Sequence, residues 1–172
     1  MRSFDTELKN LRDGIMAMAG VAEEMIDLTI QALNERSSAK ADQVQVLDRQ
    51  MDEWELKLDQ LCIDLLALHA PAAKDLRLIA SSLKIVPELE RIGDHCCNIA
   101  RRATFVHPPI LAGNGLESLG TQTRSMIRRA VDAFVGSDAI LAQAVIQSDD
   151  AVDELYGQIY RELLRLMLSD PL

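Results

Sequence analysis

The sequence predicts an all-α protein of long antiparallel helices. Apolar residues recur at spacings of three and four almost from end to end, the mark of amphipathic helix. Aromatic residues make up only 3% of the chain, while Leu, Ala, Ile and Met are plentiful. That composition favours helices over sheets. No segment alternates apolar and polar residues between turn signals, as strands would.

In the first segment Phe4, Leu8, Leu11, Ile15, Met18, Ala22, Met25, Thr29 and Ala32 step along one helical face. Asn34-Glu35-Arg36-Ser37-Ser38 follows, and its serines are good N-caps. The second helix carries Val44, Leu47, Met51, Trp54, Leu58, Leu61, Leu65 and Leu68, and stops near His69 ahead of Pro71. A third helix is expected from about Ala73 to Val106, before Pro108-Pro109, with Leu76, Ile79, Leu83 and Val86 as its seam. Pro87 lies inside it and should kink it or break its hydrogen bonds locally. Gly113-Asn114-Gly115 is the clearest linker. A fourth helix is expected over Leu116–Val135, then a Gly136-Ser137-Asp138 corner with C-cap and N-cap candidates. The fifth runs from about Ala139 to Leu168, ahead of Asp170-Pro171.

The 172 residues are 48% hydrophobic and 26% charged. This is enough apolar mass for one compact domain or two small ones, and it excludes low-complexity disorder. No apolar run approaches the roughly 20 residues that span a bilayer. The first twenty residues carry Asp5, Glu7, Lys9, Arg12 and Asp13, unlike a secretory signal. Three cysteines, two of them adjacent (Cys96, Cys97), suit a reducing cytoplasm and no disulfide framework. A net charge of −9 argues against nucleic acid as the main partner. It fits metal cations or a basic partner surface, although solubility alone accounts for it too.

The chain repeats itself at an offset of 101 residues. Met25/Met126, Ile26/Ile127, Ala32/Ala133, Ala41/Ala142, Val44/Val145, Asp48/Asp149, Asp52/Asp153, Glu53/Glu154 and Leu65/Leu166 coincide over 42 ungapped positions. Average composition gives about two or three such identities. Shared heptads inflate such scores but do not explain the acidic coincidences. The division expected is a three-helix unit over 1–110 and an incomplete two-helix unit over 111–172. No counterpart of the third helix follows the fifth. The apolar stripes of the last two helices then need cover; the first bundle could supply part of it by folding back across the Gly113-Asn114-Gly115 linker, but a homodimer is the expected source.

Asp48, Asp52, Glu55 and Asp59 fall on one stripe of the second helix, beside its apolar seam. Glu90 and Asp94, one turn apart, border the seam of the third helix. Asp149 and Asp153 repeat the pair on the fifth. Hard divalent cations or iron take such oxygen ligands, and two acid pairs on adjacent helices could present four to one ion or cluster. The spacing alone is a weak signal for metal, and a solvated face with Arg49, Lys57 and Arg91 as partners is the plainer reading of it. Other chemistries fit less well. No histidine has a Glu three residues before it, as di-iron helical bundles need. His95 could be a ligand beside Asp94, or an ordinary surface histidine. There is no Cys-x-x-Cys pair and no phosphate-cradling glycine loop. Cys96, Trp54 and the methionines read as core. No nucleophile–base pair is visible.

The string Pro71-Ala72-Ala73-Lys74-Asp75-Leu76-Arg77, then Glu88-Leu89-Glu90-Arg91-Ile92-Gly93-Asp94-His95 and Asn98-Ile99-Ala100, closely resembles the PhoU family of phosphate-uptake regulators. With the repeat, the resemblance covers essentially the whole chain. It implies tandem three-helix bundles and bound metal, including multinuclear iron clusters, with Fe, Mn, Mg or Zn as candidates. The motifs would be Asp48/Asp52, Glu90/Asp94 and Asp149/Asp153. It further implies a non-catalytic protein that restrains phosphate uptake and phosphate-starvation signalling. Such a protein would contact the phosphate transporter ATPase subunit and the phosphate-sensing histidine kinase, and reach the membrane only through them. Two departures stand out: Pro87 before the Glu-Arg-Ile-Gly-Asp string, and the missing last helix, which in the family carries a second such motif. The rival expectations are a metal-dependent phosphoryl hydrolase using the carboxylates, and a metal-free helical adaptor.

Overall fold

The computed structural model describes residues 3–103, 105 and 115–169. Five helices account for nearly all of them: α1 (Phe4–Glu35), α2 (Ser38–Leu68), α3 (Ala73–Ala100), α4 (Leu116–Gly136) and α5 (Ala139–Ser169). α1 packs against α2, α3 and α4, and α2 also against α3. Among the described residues α5 packs on α4 alone.

Local chemistry sets the corners. Ser3 Oγ accepts from the Thr6 N–H at the start of α1, and Ser37 Oγ from the Lys40 N–H at the start of α2. The α1–α2 turn is closed by Arg36 in the left-handed region (φ 53°), and the α4–α5 turn by Ser137 in the same conformation (φ 55°). At both, two backbone amides return to carbonyls of the preceding helix, Ala32 and Leu33 in one and Ala133 and Phe134 in the other. The two corners therefore fall at the repeat offset. At the second it is Ser137, not Gly136, that takes positive φ, and the Asp138 carboxylate caps Ile140 and Leu141 N–H at 2.9 Å each.

The core is the α1 seam against α2 and α3. Leu11, Ile15, Met18, Met25, Met51, Leu58, Leu65, Ile79 and Val86 are at most 1% exposed. Gly93 lies between Met25 and Met51, and a Cβ there would meet both at 3.3 Å, so α3 comes in close at this point. Pro87 sits inside α3 without ending it; its ring costs one backbone hydrogen bond.

Some expectations change. α3 ends at Ala100, earlier than Val106; Val106, Pro108-Pro109 and Gly113-Asn114 lie outside the described residues, as do Asp170-Pro171. Leu76 is 45% exposed, and the buried seam runs through Leu78, Ile79, Ser82, Val86 and Leu89 instead. The apolar stripe of α4 does not stand open: Val131 joins the main core, with Ile127, Phe134 and Val135 packed on it. α1 is the cover, and the seam is an antiparallel polar ladder. Arg128 donates to Glu23 at 2.8 and 3.1 Å, Arg124 pairs with Asp27, and Asn34 donates to Glu117 at 2.8 Å.

All three cysteines are free and buried. Burial pushes their thiols up, to about 11 for Cys62 and Cys96 and about 12 for Cys97. A shift from 9 to about 11 cuts the thiolate fraction roughly a hundredfold at neutral pH. A disulfide-exchange reagent should therefore label none of the three in the native protein at pH 7, and all three after denaturation. Fast labelling of Cys62 without unfolding would contradict that burial.

Candidate metal centre between α2 and α3

The α2 stripe and the α3 acids face one another. Asp48, Glu55 and Glu90 are half-buried, while Asp52 and Asp94 are exposed. Burial lifts the Asp48 carboxyl above its ordinary range; the Cys97 thiol, hydrogen-bonded to it, pulls the other way, and the charges of Asp52 and Asp94 lift it further. The charge of Arg101 offsets them in part. Glu90 is raised first by burial, then by Asp94, Glu55, Asp52 and Asp48. Glu55 is raised by burial and by Asp59 and Asp52. Among the described residues none of these acids has a salt bridge.

The structure thus brings Asp48, Asp52, Glu90 and Asp94 to one surface, and Gly93 makes the approach possible. Glu55, already on the sequence stripe, belongs with them. Cys97 and Arg101 are neighbours that spacing alone did not single out; Cys97 lies one turn past Asp94 on the same α3 stripe, which was the available signal. Asp149 and Asp153 are not brought to this group. Both are exposed on α5, which among the described residues packs only on α4.

As placed, no three of the described His, Cys, Asp or Glu side chains come close enough together to enclose an ion. The donor chemistry nevertheless fits a hard cation. The ligands on offer are carboxylate oxygens, and their mutual repulsion is what a positive charge would relieve.

A family model for the PhoU domain matches residues 15–103 and 116–172. The chain belongs to the PhoU family. It is 40% identical to a Pseudomonas putida protein named phosphate-specific transport system accessory protein PhoU homolog, over 99% of this chain and 68% of that one. It is 34% identical to the phosphate-specific transport system accessory protein PhoU of Escherichia coli K12, over 97% of this chain and 70% of the relative. The crystal structure of PhoU from Pseudomonas aeruginosa matches with a TM-score of 0.86 at 38% identity, covering 98% of this chain and 82% of that one. That of the phosphate transport system regulatory protein PhoU from Streptococcus pneumoniae gives 0.88 at 27%, covering 98% and 80%. This PhoU domain protein shares their all-α bundle architecture.

Proposed function

We propose that this PhoU family protein is a non-catalytic regulator of phosphate uptake and phosphate-starvation signalling. It works by docking on the ATPase subunit of a phosphate transporter and on a phosphate-sensing histidine kinase, and it self-associates as a homodimer. The observation that carries this reading is the match of 98% of the chain to the two solved PhoU structures. Among the described residues no helix is long and apolar enough to cross a membrane, which fits a cytoplasmic protein that reaches the membrane through partners.

Divalent metal or iron belongs to the proposal. Asp48, Asp52, Glu90 and Asp94 would hold it, with Glu55 beside them. A bound cation would neutralise these carboxylates and tie α2 to α3. Asp149 and Asp153 would form a second, open-sided pair of ligands on α5.

The regulatory reading is tested by radiolabelled phosphate uptake in cells lacking their own relative of this protein. Uptake at high external phosphate should fall when the chain is supplied, and pull-downs should retain the ATPase subunit and the kinase. Uptake that stays unchanged with the protein present and folded would refute the regulatory role.

The metal reading makes its own prediction. The raised carboxyls mean that ionisation of Asp48 and Glu90 opposes folding. That penalty is present at neutral pH and disappears as the pH falls through their folded-state values. Asp48→Asn with Asp52→Asn removes the repulsion at nearly constant volume. The metal-free double variant should melt slightly above the parent, by a few tenths of a kcal/mol per relieved pair. The stabilisation that Mn²⁺ or Fe²⁺ gives the parent should be absent from it. An undiminished metal-induced rise in Tm would show that the ligands lie elsewhere.

A further inference from the structure

The open seam between α2 and α3 does not end at the acid group. On α2, Asp52, Leu56, Asp59, Ile63 and Leu66 follow one another by fours and threes; on α3, Leu76, Ala80, Leu83, Pro87, Glu90 and Asp94 do the same. Each set therefore lies along one line of its helix. The two helices are antiparallel, with Gly93 against Met51. Leu66 is fifteen residues past Met51, and Leu78 is fifteen before Gly93, so Leu66 stands level with the start of α3. Both lines run from acidic to apolar, and their like ends lie side by side. At the apolar end Leu56, Ile63, Leu66 and Leu76 are 72%, 53%, 37% and 45% exposed. A cluster of large apolar side chains in water marks a contact surface. This one lies on a bundle whose three helices all pack on one another. By the repeat, a counterpart of α3 in the second unit would pack on α4 and α5, away from it.

The charges say what fits. Asp52, Asp59, Glu90 and Asp94 have no salt bridge among the described residues, and Arg91, next to Glu90, pairs with Glu88 at 3.9 Å. A second copy of the same face is a poor occupant. Laid one way it opposes acid to acid, and laid the other way it opposes acid to leucine. The complement is a helix with leucine-like side chains at one end of its inner stripe and Lys or Arg at the other.

We infer that the α2–α3 face docks a basic amphipathic helix of a partner protein. Its apolar half sits over Leu66 and Leu76, and its cationic half over Asp52, Asp59 and Asp94. Leu76 to Asp94 spans eighteen residues, about 27 Å, which sets the length of helix that fits. The mode is that of a helix laid into a surface seam by anchors at one-turn spacing, with charge fixing its direction. The inference rests on the docking reading above and names its surface.

The test is fluorescence anisotropy on the full chain with chelator present, so that no metal neutralises the acids. The probe is a labelled helical peptide of about 18 residues, with one stripe of Leu in its first half and Lys in its second. A control peptide of the same composition scatters those residues around the helix. The parent should bind the striped peptide at least about tenfold more tightly than the control, and less tightly as salt rises. Ile63→Glu with Leu76→Glu should lose that preference, and so should Asp52→Lys with Asp59→Lys, both with unchanged helical circular dichroism. The lysine variant should regain it for a striped peptide carrying Glu in place of Lys. Equal affinity of the parent for striped and control peptides overturns the face, as does a lysine variant that still favours the Lys peptide. So does a parent of twice 19.1 kDa in native mass spectrometry that Ile63→Glu with Leu76→Glu returns to 19.1 kDa, because the occupant is then a second copy. The uptake assay separates this from the regulatory reading. A parent that leaves uptake unchanged refutes that reading. A parent and an Ile63→Glu, Leu76→Glu variant that lower uptake equally leave it standing and overturn the face.

Discussion

Leu58→Ala should cost this protein about 3–5 kcal/mol, the range for a leucine removed from a site that cannot collapse. Leu58 is 1% exposed and fills the α1–α2 interface directly over Gly14. A Cβ at Gly14 would lie 2.5 Å from Leu58 Cδ2 and 3.4 Å from Trp54 Cζ3. The two positions share one volume, so their substitutions must couple. Gly14→Ala alone pits a gain in helix propensity of about 1 kcal/mol against displacement of Leu58. In the Leu58→Ala background the clash is gone, and the new methyl occupies part of the cavity. Urea unfolding of the two single variants and the double variant should show the double well above Leu58→Ala alone. Additive effects would mean that the close approach of α1 and α2 at Gly14 is wrong.

Arg128→Met should cost about 1.5–3 kcal/mol, the worth of hydrogen bonds to a charged group. Arg128 itself is largely exposed, but its partner Glu23 is only 9% exposed on the face of α1 that meets α4. Losing Arg128 leaves a buried carboxylate without its cation, and that is where the cost arises. Glu23→Met combined with Arg128→Met should recover most of the loss by replacing the pair with packing. Hydrogen exchange localises the effect. In Arg128→Met, amides of α4 and α5 should lose protection before those of α2 and α3, because among the described residues α1 is the only helix outside the hairpin that holds it. Uniform loss across all five helices would argue that the seam is not a separate unit of stability.

Helix starts were legible because the residues before them, Pro71, Gly115 and Asp138, break or cap the chain locally. The starts of α3, α4 and α5 at Ala73, Leu116 and Ala139 fall where the sequence places them. The acid group between α2 and α3 was legible too, since consecutive helices pair and the four carboxylates sit at one-turn spacings. What escaped was long-range. α1 meets three helices and needs more than one apolar stripe. Ile26 and Ile30, with Glu23 and Asp27 beside them, form the second, and a stripe edged with acids looks like a solvated face until arginines from α4 arrive. The same blindness applies to Asp149 and Asp153. They match Asp48 and Asp52 by offset, but what a carboxylate faces depends on a neighbouring helix that spacing does not supply. Leu76 shows the smaller version of this error: Ile79 and Val86 hold their places in the α3 seam, but Leu78 is inside and Leu76 out.

The α1–α4 ladder has an ambiguity built into it. Glu23 and Asp27 are one turn apart on α1, and Arg124 and Arg128 one turn apart on α4. Sliding the hairpin by a single turn, about 5.4 Å, would bring Arg124 to Glu23 and keep one ion pair of the two. Charge alone therefore behaves like a rack with equal teeth, which holds in more than one position. Gly120 removes the degeneracy. A side chain there would strike Ile30 at 2.9 Å, whereas Gly136, at the far end of α4, has nothing within 4 Å, so the notch that holds Ile30 is the one at Gly120. The notch acts as the detent that selects a tooth, and the hairpin of α4 and α5 is indexed against α1 by that missing methyl together with the packing of Val131.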